Sequence, residues 1–343
     1  MGREPADSSQ ERGEIARLTG RRSLMRRVGI SLLHSREASI AIAGIALVIY
    51  FQSTASAFLS GSNIANLAEY AATTAIIAAG EVMVLISGEV DLSVGQVYAL
   101  CPFVMFYVHE AGLPFVPAII AGLIPAVIIG LINGLVTVVL EIPSFITTLG
   151  TLFLINGLTL TISGGFPVAP KAGPLVTNTF GGNAISQILW AIGVTLIFQF
   201  TLVKTRWGMH TIATGGNLIG AAEVGVKTGF IKIGNFVICS VLGGLAGTLD
   251  CFRIGSIDPL AGGTEIMFMA IASAVIGGTL LTGGSGTIFG AFLGAAVLGI
   301  LKDGFTLSGV SAYTFDMILG GAILITMLIN VHLSRLRAAG GGQ

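Results

Sequence analysis

The chain is poor in charge. Only 10% of its 343 residues are Asp, Glu, Lys or Arg, where soluble domains carry about a quarter. Hydrophobic residues make up 53% and the mean hydropathy is +0.91, which excludes a water-soluble globule. Formal net charge is zero, so there is no electrostatic basis for holding nucleic acid. Cysteine is scarce too. Cys101, Cys239 and Cys251 sit in apolar surroundings without ligand spacing, so they read as reduced lipid-level or core residues and no metal is expected. G-x-x-x-x-G-K-[ST] is absent and no Gly directly precedes a Lys, so nucleotide binding by that route is excluded. No cofactor is expected.

What the chain has is long apolar runs and 49 glycines. The runs reach bilayer-spanning length, and small residues favour close helix packing in lipid. Residues 1–37 carry eight Arg and five acids, an end that stays inside by the positive-inside rule. The first span is expected at 38–59. Ala55-Ser56-Ala57 resembles a signal-peptidase site, but the basic region is too long and the apolar run exceeds a signal-peptide core. Further spans are expected at 63–87, after Gly95 to 108, at 114–140, 144–162, 185–203, 235–251 and 265–280, then one that carries Gly286, Gly290 and Gly294, and a last one at 313–333. Gly130-x-x-x-Gly134, Gly243-x-x-x-Gly247 and the series Gly286, Gly290, Gly294 are close-packing spacings. The expected fold is thus an all-α integral membrane protein of about ten transmembrane helices. It divides into a basic N-terminal segment (1–37), a transmembrane domain (38–333) and a tail (334–343), with both termini inside.

The polar loop from Lys204 to Gly234 organises the chain. Lys204, Arg206, Lys227 and Lys232 stand against one acid, Glu223, which places it on the inner side. Gly215-Gly216-Asn217 can cap a short helix starting at Leu218, and Gly225 can end it about two turns later. Its body, Gly220-Ala221-Ala222, is small enough to enter a partner's groove. Such a helix reads as a mechanical plug rather than an active site.

Two pairs of segments recur. Gly88-Glu89-Val90-Asp91 with Gly95 matches Gly255-Ser256-Ile257-Asp258 with Gly262. Leu131 to Gly150 aligns without a gap on Leu301 to Gly320, sharing Gly134/Gly304, Phe145/Phe315 and Leu149/Leu319. The offset is five spans, an odd number, so the second copy lies upside down. An inverted five-plus-five repeat with solute handled between the copies is the expectation; chance similarity between two glycine-rich segments is the bland alternative.

G-E-V-D-L-S-V-G at Gly88, the G-G-N…G-V turn at Gly215 to Val226, and G-G-L-A-G at Gly243 with I-G-G-T at Ile276 resemble the ribose-type permeases of ABC importers. The likeness runs through nearly the whole chain after residue 38. It implies a non-enzymatic permease subunit of the bacterial cytoplasmic membrane that pairs with a second permease copy, identical or not. It also implies a periplasmic or extracellular solute-binding protein, separate ATPase subunits, and a monosaccharide or related polyol as cargo. By position, Asn217 to Gly225 would be the coupling helix, so the coupling residues are Gly215, Gly216, Asn217, Gly220, Ala221, Ala222, Glu223 and Gly225. The chain departs from the family's habit in two places: Ala222 and Glu223 stand where many members carry a basic residue, and Glu89 stands where a second glycine is usual.

The pathway candidates are Glu81, Gly88, Asp91, Ser93, Gly95, Asp258 and Asp316. Capping by Asp91 alone explains an Asp two residues before Ser93; solute contact is the alternative, and a broken helix lining a cavity accommodates both. An acid at the depth of Glu81 costs about 2.5–3.5 kcal/mol on insertion scales, and must be neutral, paired or facing water. With Asp316 it also supports a second reading, a proton-coupled transporter. Gly283-Gly284-Ser285-Gly286 fits the G-x-S-G of intramembrane serine proteases, but that chemistry needs a His base, and His34, His109, His210 and His332 fall in loops or at span ends. A packing turn is the simpler account. The span order makes a direct prediction. In a cysteine-free protein, Lys171→Cys should label from outside intact cells with an impermeant thiol reagent, and Gly216→Cys only after lysis; labelling of both from outside contradicts the order.

Overall fold

In a computed structural model, residues 36–311 are described, together with 314, 317, 318, 320, 321 and 324. The described residues form helices and turns, with no strand beyond one isolated bridge, Val168 to Ile257. The chain is an all-α membrane protein, and among the described residues seven helices are long and apolar enough to cross a bilayer, Phe115–Val139 taken as one. The first spans the residues Arg36–Thr54 (α1), followed by Gly61–Ile86 (α2), Val94–Glu110 (α3), Phe115–Gly122 (α4) and Ile124–Val139 (α5). Then come Ser144–Ser163 (α6), the short Pro174–Thr179 (α7), Ala184–Lys204 (α8), Arg206–Gly216 (α9) and Leu218–Glu223 (α10). Thr228–Ile254 (α11), Thr264–Ile276 (α12) and Ile288–Leu307 (α13) complete the series.

The expected spans to residue 307 each find a helix, with three differences of physical interest. The span at 114–140 is interrupted at Leu123, because Pro125 has no N–H for the carbonyl four residues back. The loop from Lys204 holds a further helix, α9, capped by the Thr205 side chain on Gly208 N–H. The next span begins at Thr228 rather than Asn235. Both missed stretches are polar, so hydropathy hid them, while their backbone groups are satisfied in helices all the same. The span expected at 313–333, with Asp316 and the Phe315 and Leu319 of the repeat, lies almost wholly outside the described residues. So do 334–343 and, but for Arg36 and Glu37, segment 1–37.

α2 is the axle. It is buried continuously from Ala72 to Ile86, with α8, α11, α12 and α13 packed around it. Glycine makes this crowding feasible. A Cβ on Gly80 would stand 2.8 Å from Cys239 Cα on α11. Gly130 and Gly134 of α5 would meet the same helix at Val237 Cα, 2.5 Å, and Ile233 Cα, 2.7 Å. Gly247 of α11 lies on the Tyr98 carbonyl of α3, and Gly290 and Gly294 of α13 lie on Gly277 and on the Ser273 carbonyl of α12. The small-residue spacings in the sequence are therefore interhelical contacts at backbone distance.

The two segments of the shorter repeat adopt one local geometry. Gly88 and Gly255 follow long helices with positive φ, 85° and 72°, a conformation that glycine takes without strain. Asp91 Oδ1 then accepts from Ser93 N–H at 2.9 Å, and Asp258 Oδ1 from Leu260 N–H at 2.9 Å. A helix of less than full spanning length follows each, α3 and α12. The two starts touch: a Cβ on Gly95 would stand 2.9 Å from the Gly262 carbonyl, and one on Gly262 would overlap that of Gly95.

The packing predicts an asymmetric response to small additions. Gly247→Val forces α3 from α11 and should cost about 1–3 kcal/mol, read as a lower melting temperature and less protein extracted folded. Gly193→Val, where a Cβ meets nothing within 4 Å, should leave both unchanged.

Candidate functional site

Two pathway candidates, Asp91 and Ser93, share one interior cage. Asp91, fully buried, is held through Oδ1 by Ser93 N–H and by Ser93 Oγ at 2.6 Å, and through Oδ2 by Ser240 Oγ at 3.4 Å from α11. Asn133 of α5 donates to Ser93 Oγ at 2.8 Å and accepts from Thr151 of α6 at 2.8 Å. Four helices thus converge on one break. The capping turn expected of Asp91 is present, and Asn133, Thr151 and Ser240 extend it into a cage. These three carried no signal in the sequence, since isolated polar residues within apolar runs look alike until they are brought together.

Glu81, on α2, lies beside Asp91 and is 0% exposed. Oε1 accepts from Cys239 Sγ at 3.6 Å, and Oε2 has no partner. Among the described residues it forms no ion pair; Arg253 and Lys302, the cations that could have served it, are engaged elsewhere.

The engaged cations mark a second polar network. Asp250 of α11 accepts from Tyr98 and is paired with Arg253, which also reaches Glu69 at 3.8 Å. Lys302 of α13 pairs with Glu265 of α12 and donates to Tyr70 Oη at 2.7 Å. These contacts tie α2, α3, α11, α12 and α13 together, and Asp250 and Tyr98 were missed in the sequence. Asp258 is exposed on the turn before α12, beside a cleft of about 270 Å³ that Tyr98 also lines. Gly88 is exposed at its turn, and Gly95 is buried in the contact with Gly262. A larger groove of about 900 Å³ runs along α7 and α8, lined by Trp190 and Asn183, and holds none of the candidates.

The loop residues form the expected small helix. Asn217 Oδ1 accepts from Gly220 N–H at 2.9 Å, and the chain turns at Gly225 with φ 88°, where Val226 N–H bonds the Ala221 carbonyl at 3.0 Å. The facing of its residues differs from expectation. Ala221 is turned inward, 5% exposed, while Ile219 and Val224 are 73% and 80% exposed with Leu218 beside them. Ala222 and Glu223 are exposed, Gly220 is half-buried. Gly216 is exposed, and Gly215 is wedged against the Ile86 carbonyl. α9 fastens this helix to the bundle, as Trp207 Nε1 donates to Asn235 Oδ1 at 2.9 Å.

Residues 63–328 match the family described as "Branched-chain amino acid transport system / permease component". The chain belongs to this permease family. It is similar to the xylose/arabinose import permease protein XylH of Sulfolobus acidocaldarius, 36% identical over 300 residues, which is 85% of this chain and 83% of the relative. The ribose import permease protein RbsC of Bacillus subtilis is 36% identical over 83% of this chain and 89% of its own length. The D-allose transport system permease protein AlsC of Escherichia coli is 31% identical over 94% and 100%. No solved structure matches. The permease is a transport subunit, not an enzyme, and its helices make it a multi-pass membrane protein.

The burial of Glu81 separates structural from proton-relay roles. Glu81→Gln keeps shape and removes the acid, so solute uptake and membrane level should stay within about twofold of the parent. A well-assembled but inactive variant would assign Glu81 to proton movement.

Proposed function

We propose that the permease forms one half of the translocation pathway of an ABC importer for a monosaccharide or related polyol. The relatives that match along most of the chain are named for xylose and arabinose, ribose and allose, which supports that class of cargo. α10 is the observation that carries the mechanism. It is a two-turn helix at the tip of a loop, capped at both ends, that leaves Leu218, Ile219 and Val224 exposed, the last two by 73% and 80%. Apolar side chains so exposed outside the spans are what a docking surface needs. In this reading α10 seats in a separate ATPase subunit on the cytoplasmic side, with Gly215, Gly216, Asn217 and Gly225 shaping the loop. Glu223 and Ala222 lie beside the docking face, and Ala221 seals the helix to its own loop.

The pathway itself completes with a second permease copy, since the caged Asp91 and Ser93 are both 0% exposed in the single chain. A solute-binding protein delivers sugar at the opposite end, near the turn of Asp258. ATP-driven closure moves α10, and one bundle rocks against the other. Ten spans, with Asp316 in the last, and an inverted repeat belong to this proposal. Two observations support the repeat: the matching Asp turns at Asp91 and Asp258, and the reciprocal contact of Gly95 with Gly262. Residue-for-residue reciprocity is what a two-fold relation produces at its axis. The membrane is the bacterial cytoplasmic membrane, with lipid against the outward apolar faces and both termini inside.

Ile219→Asp tests the docking face without touching the bundle. The permease should reach the membrane at parental level, while ATPase subunits co-purify poorly and uptake of radiolabelled ribose, xylose, arabinose or allose falls at least about tenfold, the scale set by losing a central apolar anchor. Bound ATPase with normal uptake would remove α10 from the coupling role.

A further inference from the structure

Both flanks of the loop that carries α10 land on the same short segment, Ile86 to Glu89. Before α10, Gly215 presses on the Ile86 carbonyl so closely that a Cβ would overlap it. Gly284 N–H donates to that carbonyl at 2.8 Å, and a Cβ on Gly283 would stand 2.9 Å from the Gly215 carbonyl and 3.1 Å from Gly88 Cα. Three turns from distant parts of the chain thus meet backbone to backbone. After α10, Lys232 in the second turn of α11 reaches back to the same segment, with Nζ 2.5 Å from Glu89 Oε1. The two side chains are 16% and 13% exposed, so the pair is shielded from most solvent screening. Two residues beyond Glu89 is Asp91, at the centre of its cage. Val90 between them is held to α6 through Ser144 Oγ, 3.2 Å from Val90 N.

We infer that Glu89 and Lys232 are a positioning pair that makes the Gly88–Asp91 break follow the loop of α10, so that displacement of α10 moves the Asp91 cage. The inference rests on the coupling role proposed for that loop. A displacement is passed on only where nothing soft lies in its path. On one flank the path is glycine backbone on glycine backbone, with no side chain to yield. On the other it is one short ionic contact between partners that cannot readily exchange each other for water. Losing the pair removes the ionic link between the break and the start of α11 and leaves the glycine junction and the Ser240 contact, so the break follows the loop less closely. ATP hydrolysis then continues while solute movement lags.

The experiment uses the complete importer, with permease, ATPase subunits and binding protein in proteoliposomes. Its cargo is whichever of radiolabelled ribose, xylose, arabinose and allose the parent moves. The readout is sugar moved per ATP hydrolysed at equal amounts of assembled complex. Glu89→Lys and Lys232→Glu should each lower that ratio about tenfold, on the scale of a broken, mostly shielded ion pair. The double reversal should recover at least half of it. Glu89→Gln, which removes the pair without adding repulsion, should uncouple in the same direction and serves if a reversal fails to assemble. A parental ratio in Glu89→Gln, or a double reversal that assembles and recovers nothing, overturns the inference. If Ile219→Asp keeps its ATPase and normal uptake, the coupling role of the loop is what has failed, whatever the ratio in the Glu89 variants.

Discussion

The architecture depends on backbone approaching backbone without a side chain between. Lipid offers no hydrophobic gain for joining two apolar helices, so packing and polar contacts must hold them. This chain meets that demand with glycine at the crossings of α2, α3, α5, α11, α12 and α13. Where a Cβ cannot fit, the neighbour's carbonyl can, and helices at that distance gain dispersion along their length. Polar side chains then find partners across the crossings, as Ser240 and Asn133 do around Asp91.

Much of this was legible in the sequence, for identifiable reasons. Length and apolarity gave the spans to residue 307, and glycine spacing named the crossing faces. The cap at Asn217 and the stop at Gly225 were readable because short helices advertise their ends through local chemistry. α9 and the first turns of α11 were not, since their composition is polar and hydropathy alone marked the borders. The orientation of Ala221 could not be read either, as a two-turn helix has too few residues for a periodic pattern.

Contacts between distant segments escaped for a different reason. Glu89 and Lys232 are 143 positions apart, and nothing near either residue announces the other. Glu89 looked like a departure from a glycine-rich turn; beside Lys232 it has a physical occupation. The same holds for Asp250, whose partners Tyr98, Thr73 and Arg253 come from three helices. Sequence periodicity reports what one element needs, whereas these groups report how elements meet.

The isolated bridge between Val168 and Ile257 has a wider meaning once the two breaks are set side by side. The connections 164–183 and 205–227 lie at opposite ends of α8. The first is stitched by two backbone hydrogen bonds, 3.0 and 2.7 Å, to the turn that carries Asp258; the second is fastened to the turn that carries Asp91. Each end of the molecule therefore has a handle on a different break, and the breaks touch each other at Gly95 and Gly262. Under the proposed coupling role, a pull from either end arrives at the same few ångströms of glycine backbone, where the two events are registered together without a long relay between the surfaces.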